Sequence, residues 1–153
     1  MAKCNKIYRG GVHEVTPETR ERVYTGAAGS LLPGHLVTIS PATGFALGKG
    51  VGFFGYIVGE PLNGTVDDNL VTAPTSAVRA YVPHSGDLLV GRATAAAGGA
   101  LIDDVPLTND GVTGRLKLAT PGTDEIFAYI DDPLGEIGAG AIAADTLIPI
   151  KIK

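Results

Sequence analysis

Hydrophobic and polar positions alternate along this chain only in short bursts. β-Branched and aromatic residues gather over 36–39, 53–58, 78–82, 87–94, 115–119, 126–130 and 146–152, and most of these runs are bounded by Pro, Gly, Asn or Asp. Twenty-two Gly and ten Pro interrupt the chain every few positions, which leaves no room for a helix of three turns. The pattern predicts seven short strands, at most short helices, and an all-β fold: a compact antiparallel β-barrel or sandwich.

Turn chemistry agrees with that reading. Asn63-Gly64 and Asn109-Asp110-Gly111 tolerate positive φ, and Pro33-Gly34 fits the two central positions of a type II turn. Near the N-terminus two local structures fit equally well. Thr16-Pro17-Glu18 has the form of a helix start, with Thr16 as N-cap and Pro17 at the first helical position of a helix reaching Val23. The same residues also read as an extended arm.

An internal echo runs through the chain. The segments AAGSLL (27–32), TGFAL (43–47) and FFGYIVGEPL (53–62) return in order as AAGGAL (96–101), TGRLKL (113–118) and IFAYIDDPL (126–134). Ala27 precedes Ala96 by 69 residues, Gly44 precedes Gly114 by 70, Tyr56 precedes Tyr129 by 73, and Pro61 precedes Pro133 by 72. Order and near-constant offset point to a duplication spanning about 27–64 and 96–138, two similar β-meanders that cover each other's open edges. The small residues of 93–99 then form the second meander's first loop, where they let backbones approach closely.

A chain of 153 residues has the size of one domain. Its single Cys4 cannot form an internal disulfide, which suits a reducing cytosol. The N-terminus MAKCNKIYRGG lacks an apolar run of signal-peptide length, and no long apolar stretch occurs elsewhere, so secretion and membrane spanning are not expected. The net charge of −4 argues against nucleic acid as a partner. The charge is uneven. Residues 1–25 hold five basic groups (Lys3, Lys6, Arg9, Arg20, Arg22) against three acids, leaving seven against thirteen in the remainder. An N-terminal arm, 1–24, that touches an acidic neighbour is one expectation, with contacts from Lys6, Tyr8, Arg9, Arg20 and Arg22, and a solvated tail fits the same charges equally well; 25–153 form one β-rich domain.

Reactive chemistry is sparse. Gly50-x-Gly52-x-x-Gly55 matches a dinucleotide-binding fingerprint in letters, but a β-rich run follows it where that site needs a helix N-terminus. His13, His35 and His84 have no partners at metal-ligand spacing and read as surface or turn residues. Ser85 lies between His84 and Asp87 in sequence without a nucleophile elbow. Asp67-Asp68, Asp103-Asp104 and Asp131-Asp132 lack the alternate-position spacing of a calcium loop and read as solvated loops. Asn63-Gly64-Thr65 reads as a turn rather than a glycosylation site. A biotinyl or lipoyl carrier needs a modifiable Lys at a hairpin tip, and neither Lys49 nor Lys117 lies in such a sequence. No enzyme, cofactor or metal is expected.

The segments GSLLPGHLVTIS, VRAYVPHSGDLLVGRATAAAGGALIDD, DGVTGRLKLAT and IFAYIDDPL, with the terminal IPIKIK, resemble the head decoration, or capsid cement, proteins of tailed bacteriophages over about residues 25–153. The resemblance is one of strand and loop cadence. It implies a β-rich body on the outside of the expanded phage head, in contact with the major capsid protein near three-fold positions. It implies homotrimers in some members, an extended arm on the shell, no enzymatic residues, synthesis in the bacterial cytoplasm and a final place in the virion. Other readings of the same strands are a tail-tube, collar or fibre component of the virion, or a small-ligand or carrier β-barrel. A removable arm, whose loss leaves a folded body, is a further expectation.

Overall fold

The computed structural model describes residues 7–10, 18–24, 26, 30–40, 44–48, 55–59 and 77–153. Lys6, His13, Thr16, Pro17, Lys49, Gly50, Gly52, the turn 63–65 and Asp67-Asp68 lie outside them. In chain order the strands are β1 (Tyr8–Gly10), β2 (Thr19–Val23), β3 (Leu36–Ser40), β4 (Gly44–Leu47), β5 (Tyr56–Val58), β6 (Ala77–Tyr81), β7 (Leu88–Ala93), β8 (Pro106–Asn109), β9 (Leu116–Leu118), β10 (Ala128–Ile130) and β11 (Thr146–Ile152). All seven predicted runs contain a strand, and β1, β2, β4 and β8 are additional. No helix occurs among the described residues, so 19–23 form a strand and not the alternative helix.

The strands form two sheets. The N-terminal sheet has the order β2-β6-β5-β3-β4, and the C-terminal sheet has the order β1-β7-β11-β10-β8-β9. The first curls until its ends touch through one parallel bridge, Tyr24 to Phe45, and in the second β7, which lies between β1 and β11, meets the end strand β9 through one parallel bridge, Ala93 to Leu116. A single bridge is not a continuous ladder. The architecture is therefore two coiled antiparallel sheets packed as a sandwich, rather than one barrel.

The two sheets repeat each other strand for strand. With β1 set aside, β2, β6, β5, β3 and β4 correspond to β7, β11, β10, β8 and β9 in the same spatial order. The residue pairings correspond as well. Val37 opposite Leu47 and Ile39 opposite Phe45 become Leu107 opposite Leu118 and Asn109 opposite Leu116. Val58 opposite Ala80 becomes Ile130 opposite Ile150, and Arg20 opposite Ala80 becomes Leu89 opposite Ile150. Even the closing bridges coincide, since Tyr24 and Phe45 fall where Ala93 and Leu116 fall. The repeat is longer than the echoed letters, running from β2 to β6 and from β7 to β11. It also differs from them by one residue at two points: β4 and β5 place Gly44 against Arg115 and Ile57 against Tyr129, and each unit is a crossed-over order rather than a simple meander.

The core follows the repeat. The smaller cluster holds Tyr24, Leu31, Val37, Phe45, Val58, Val78 and Ala80. Their counterparts Ala93, Leu101, Leu107, Leu116, Ile130, Ile148 and Ile150 all lie in the larger one. Inward positions alternate with outward ones along a strand, so a duplicated register necessarily duplicates the buried set. Leu36 and Ile57 leave the N-terminal unit and join the C-terminal cluster, which ties the sheets together.

The N-terminal segment departs from the expected arm. β1 pairs with β7, with Tyr8 opposite Leu89, and the carbonyl of Ile7 accepts a hydrogen bond from Val90 N–H at 2.7 Å. Ile7 is fully buried in the larger cluster, and Tyr24 in the smaller. Residues 1–24 are therefore not removable without cost. Ile7→Ala is expected to lower stability by about 2–4 kcal/mol, measured by urea unfolding, whereas a residue of a loose arm would leave it unchanged.

Candidate functional site

The most elaborate polar arrangement lies at the seam between the sheets. His35 follows the turn that leads into β3, and Leu32 N–H donates to its Nδ1 at 3.1 Å. Since Nδ1 accepts, the ring proton sits on Nε2, which donates to Asp145 Oδ1 at 2.7 Å. The same carboxylate receives both arms of Arg115, Nε to Oδ1 and Nη2 to Oδ2, each at 2.7 Å. Arg92, buried on β7, donates from Nε to Pro33 O at 2.6 Å and from Nη1 to Asp145 O at 2.7 Å. One cluster thus holds the turn before β3 against β7, β9 and the turn before β11.

Its electrostatics are those of a lock. Arg115 beside it, and His35 after that, hold the Asp145 carboxyl down at about 2 against the pull of partial burial. Burial pushes His35 below its ordinary value, and the two guanidiniums add to this, although the bond to Asp145 opposes them. The imidazole is neutral and fully engaged. Both ring nitrogens are occupied, by Leu32 N–H and by the Asp145 carboxylate, so the arrangement holds the seam. His35 was expected at the surface or in a turn; it closes the turn 32–35, where its backbone N–H donates to Leu32 O at 3.1 Å, but its side chain is only 3 % exposed. Its partner lies 110 residues away, beyond any local pattern.

The other sequence candidates separate into structural roles. His84 is exposed, and Asp87 Oδ2 caps its turn by accepting from His84 N–H at 3.0 Å. Asp132 was read as a solvated loop residue but is buried. It accepts from Glu136 N–H and Ile137 N–H at 2.7 and 2.9 Å, while its own N–H donates to Asp103 Oδ1 at 2.8 Å. Lys117 lies within β9 opposite Thr108, not at a hairpin tip. Gly55 leads directly into β5. Among the described residues no group of three His, Cys, Asp or Glu could hold a metal ion. The loop after β7 pairs with the loop before β11 through Ala96 and Ile142, which exchange hydrogen bonds of 3.2 and 3.0 Å. Small side chains permit this backbone contact.

Of the five residues expected to touch a partner, Lys6 lies outside the described residues and the other four fall on two sheets. The backbone of Tyr8 and Arg9 belongs to β1 on the C-terminal sheet, whereas Arg20 and Arg22 lie on β2 of the N-terminal sheet. β2 is the singular surface. All five of its residues are exposed, although β6 beside it buries Val78 and Ala80. Arg20 pairs with Glu18 at 2.5 Å, and Arg22 Nη1 donates to Glu21 O at 2.7 Å.

The backbone of β2 explains what that surface can do. Val82 N–H donates to Glu18 O, so residues 18, 20 and 22 turn their polar backbone groups toward β6, and 19, 21 and 23 turn theirs outward. On β7 the counterparts of 21 and 23 are Val90 and Arg92. Both outward N–H groups are taken by segments from outside the repeat unit: Val90 by Ile7 O, and Arg92 by Gly34 O at 3.0 Å. Among the described residues β4 touches this edge of β2 at the Val23 end, through the Tyr24–Phe45 bridge and Gly44, and no strand pairs with it around Glu21. The sequence matches no family model and no curated protein.

Proposed function

We propose that this protein is a decoration, or cement, protein of a tailed-bacteriophage head, bound to the major capsid protein on the outside of the expanded shell. The observation that supports this reading most is the exposed outer edge of β2, an end strand bearing Arg20 and Arg22 that pairs with β6 on one side and, among the described residues, with no strand around Glu21 on the other. A strand edge binds an extended segment through backbone hydrogen bonds, and flanking charges select the partner. The half of the edge around Glu21 is the part that on β7 receives β1, and it is the place assigned to a strand of the coat subunit.

Binding to the expanded lattice but not to its precursor stabilises that lattice by mass action. At a free concentration one hundred times the dissociation constant, each occupied site contributes about 2.7 kcal/mol. The direct test is co-sedimentation with undecorated expanded heads and with procapsids. Binding to expanded heads alone is expected, and binding to neither refutes the reading. The paired change Arg20→Glu with Arg22→Glu is expected to weaken shell binding about tenfold or more. Both side chains are exposed, so the melting temperature should stay within about 2 °C of the parent, consistent with a surface change.

A further inference from the structure

The contact that joins the two sheets has a duplicate of each of its halves, and both duplicates face outward. In the seam the turn 32–35 lies on the end of β7, where Arg92 bonds to the Gly34 and Pro33 carbonyls. The fit there is set by size. A Cβ on Gly34 would stand 3.0 Å from Leu147 Cδ2 and 3.2 Å from Arg92 Cγ, so the donor turn is bare where the receiving side chains are long.

The strand correspondence carries this turn to 102–105 and carries Arg92 and Leu147 to Val23 and Ala77. Ile102 is 59 % exposed and Val23 47 %. Asp103, Asp104 and Ala77 are exposed as well. The sizes are exchanged: Asp104 occupies the positive-φ place of Gly34, with φ of 61°, and carries a side chain, while Val23 and Ala77 are shorter than the residues they replace. Of the charges, Asp103 and Asp104 lie on the turn and Arg22 lies beside Val23, while Arg20 is already paired with Glu18 at 2.5 Å. Leu134, 83 % exposed, stands on the adjacent turn, joined to the first through the bond between Asp103 and Asp132.

We propose that the turn 102–104 of one molecule docks on Val23 and Ala77 of a second copy of this chain, head to tail, in the manner of the seam within one molecule. It uses the Val23 half of the β2 edge and leaves the Glu21 half for the shell, just as β7 receives the turn and β1 side by side. The polar lock is not copied, because Val105 stands for His35, Gly44 for Arg115, and Pro106 has no N–H to match the one Leu36 gives to Gly114 O. The contact between molecules is therefore the weaker of the two. Since its halves are different surfaces, it closes into a ring or extends as a chain, never a two-fold pair.

The inference does not rest on the shell reading, because its test uses the purified protein alone. In sedimentation velocity up to millimolar concentration, the parent is expected to sediment above monomer mass, and Ile102→Glu and Val23→Glu each to return it to monomer. Ile102→Glu keeps a working receiving surface and Val23→Glu a working turn, so mixing the two is expected to give a one-to-one complex and nothing larger. Ala77→Arg provides a second receiving-side variant in case Val23→Glu lowers the melting temperature. A monomeric parent, an oligomer that survives these variants, or a mixture that fails to pair overturns the proposal.

Discussion

Gly114→Val is expected to lower the stability of the chain by at least about 4 kcal/mol, a fall of roughly 8–16 °C in melting temperature for a domain of this size. Gly114 has φ of +73° and lies at the seam, where its carbonyl accepts Leu36 N–H at 2.7 Å. A Cβ there would stand 2.5 Å from Leu36 O and 2.8 Å from Leu47 Cδ2. The first of these is backbone, held by the start of β3, and cannot swing aside. A β-branched side chain also strongly disfavours positive φ. Gly111→Ala separates the two effects, because Gly111 shares the backbone conformation, at φ of +85°, but has open space around its would-be Cβ. It should cost only about 1–2 kcal/mol. If the two variants melt together, backbone conformation alone sets the cost and the seam is looser than its geometry implies.

Asp145→Asn tests the lock itself. Asparagine keeps the shape and tolerates the φ of 67° at this position, but it cannot accept both arms of Arg115 and the His35 proton as a carboxylate does. A loss of about 2–3 kcal/mol is expected, below the range for a fully buried pair because Asp145 is 28 % exposed. The pH dependence carries the sharper signature. The carboxyl is lowered from 3.8 to about 2 in the folded chain, so its contribution is complete above 3.8 and is lost as pH falls from there toward 2. That contribution is on the order of 2 kcal/mol. His35 acts in the same sense. With its folded value below 6.5, the unfolded chain takes up the proton first, and stability falls as pH drops below 6.5. Protonation also turns Nδ1 into a donor facing Leu32 N–H, which breaks the turn. Asp145→Asn should flatten the slope below pH 4, read from urea midpoints across pH. An unchanged slope would show that other carboxylates dominate acid unfolding.

How far the molecule could be read in advance depended on the range of the interactions that form it. The seven predicted strands carry their own warrant in β-branched runs and turn residues. β2 does not: Thr-Arg-Glu-Arg-Val has no apolar alternation, and it is a strand because β6 offers it a ladder from far along the chain, 54 residues away at the closest pair, Val23 opposite Ala77, and 62 at the farthest, Thr19 opposite Tyr81. β8 begins at Pro106 and ends at Asn109, which resembles a loop. A proline is tolerated at a strand's first residue, and Leu107 between them is anchored by β9 and β10 on either side. The repeated letters, offset by 69 to 73 residues, signal the repeat but miss its register by one residue at Gly44 and Tyr56, and the register also aligns positions with no letters in common.

Local chemistry, then, determined the strand runs, the turns, the scarcity of reactive groups and the spacing of the echo, because each depends on residues within a few positions of one another. Only the tertiary structure decided that His35, Arg92, Arg115 and Asp145 meet, that Ile7 is core, and that among the described residues the edge of β2 around Glu21 is left open while its counterpart on β7 is filled. Those outcomes arise from pairings across tens of residues, where packing and backbone hydrogen bonding outweigh what any single segment prefers.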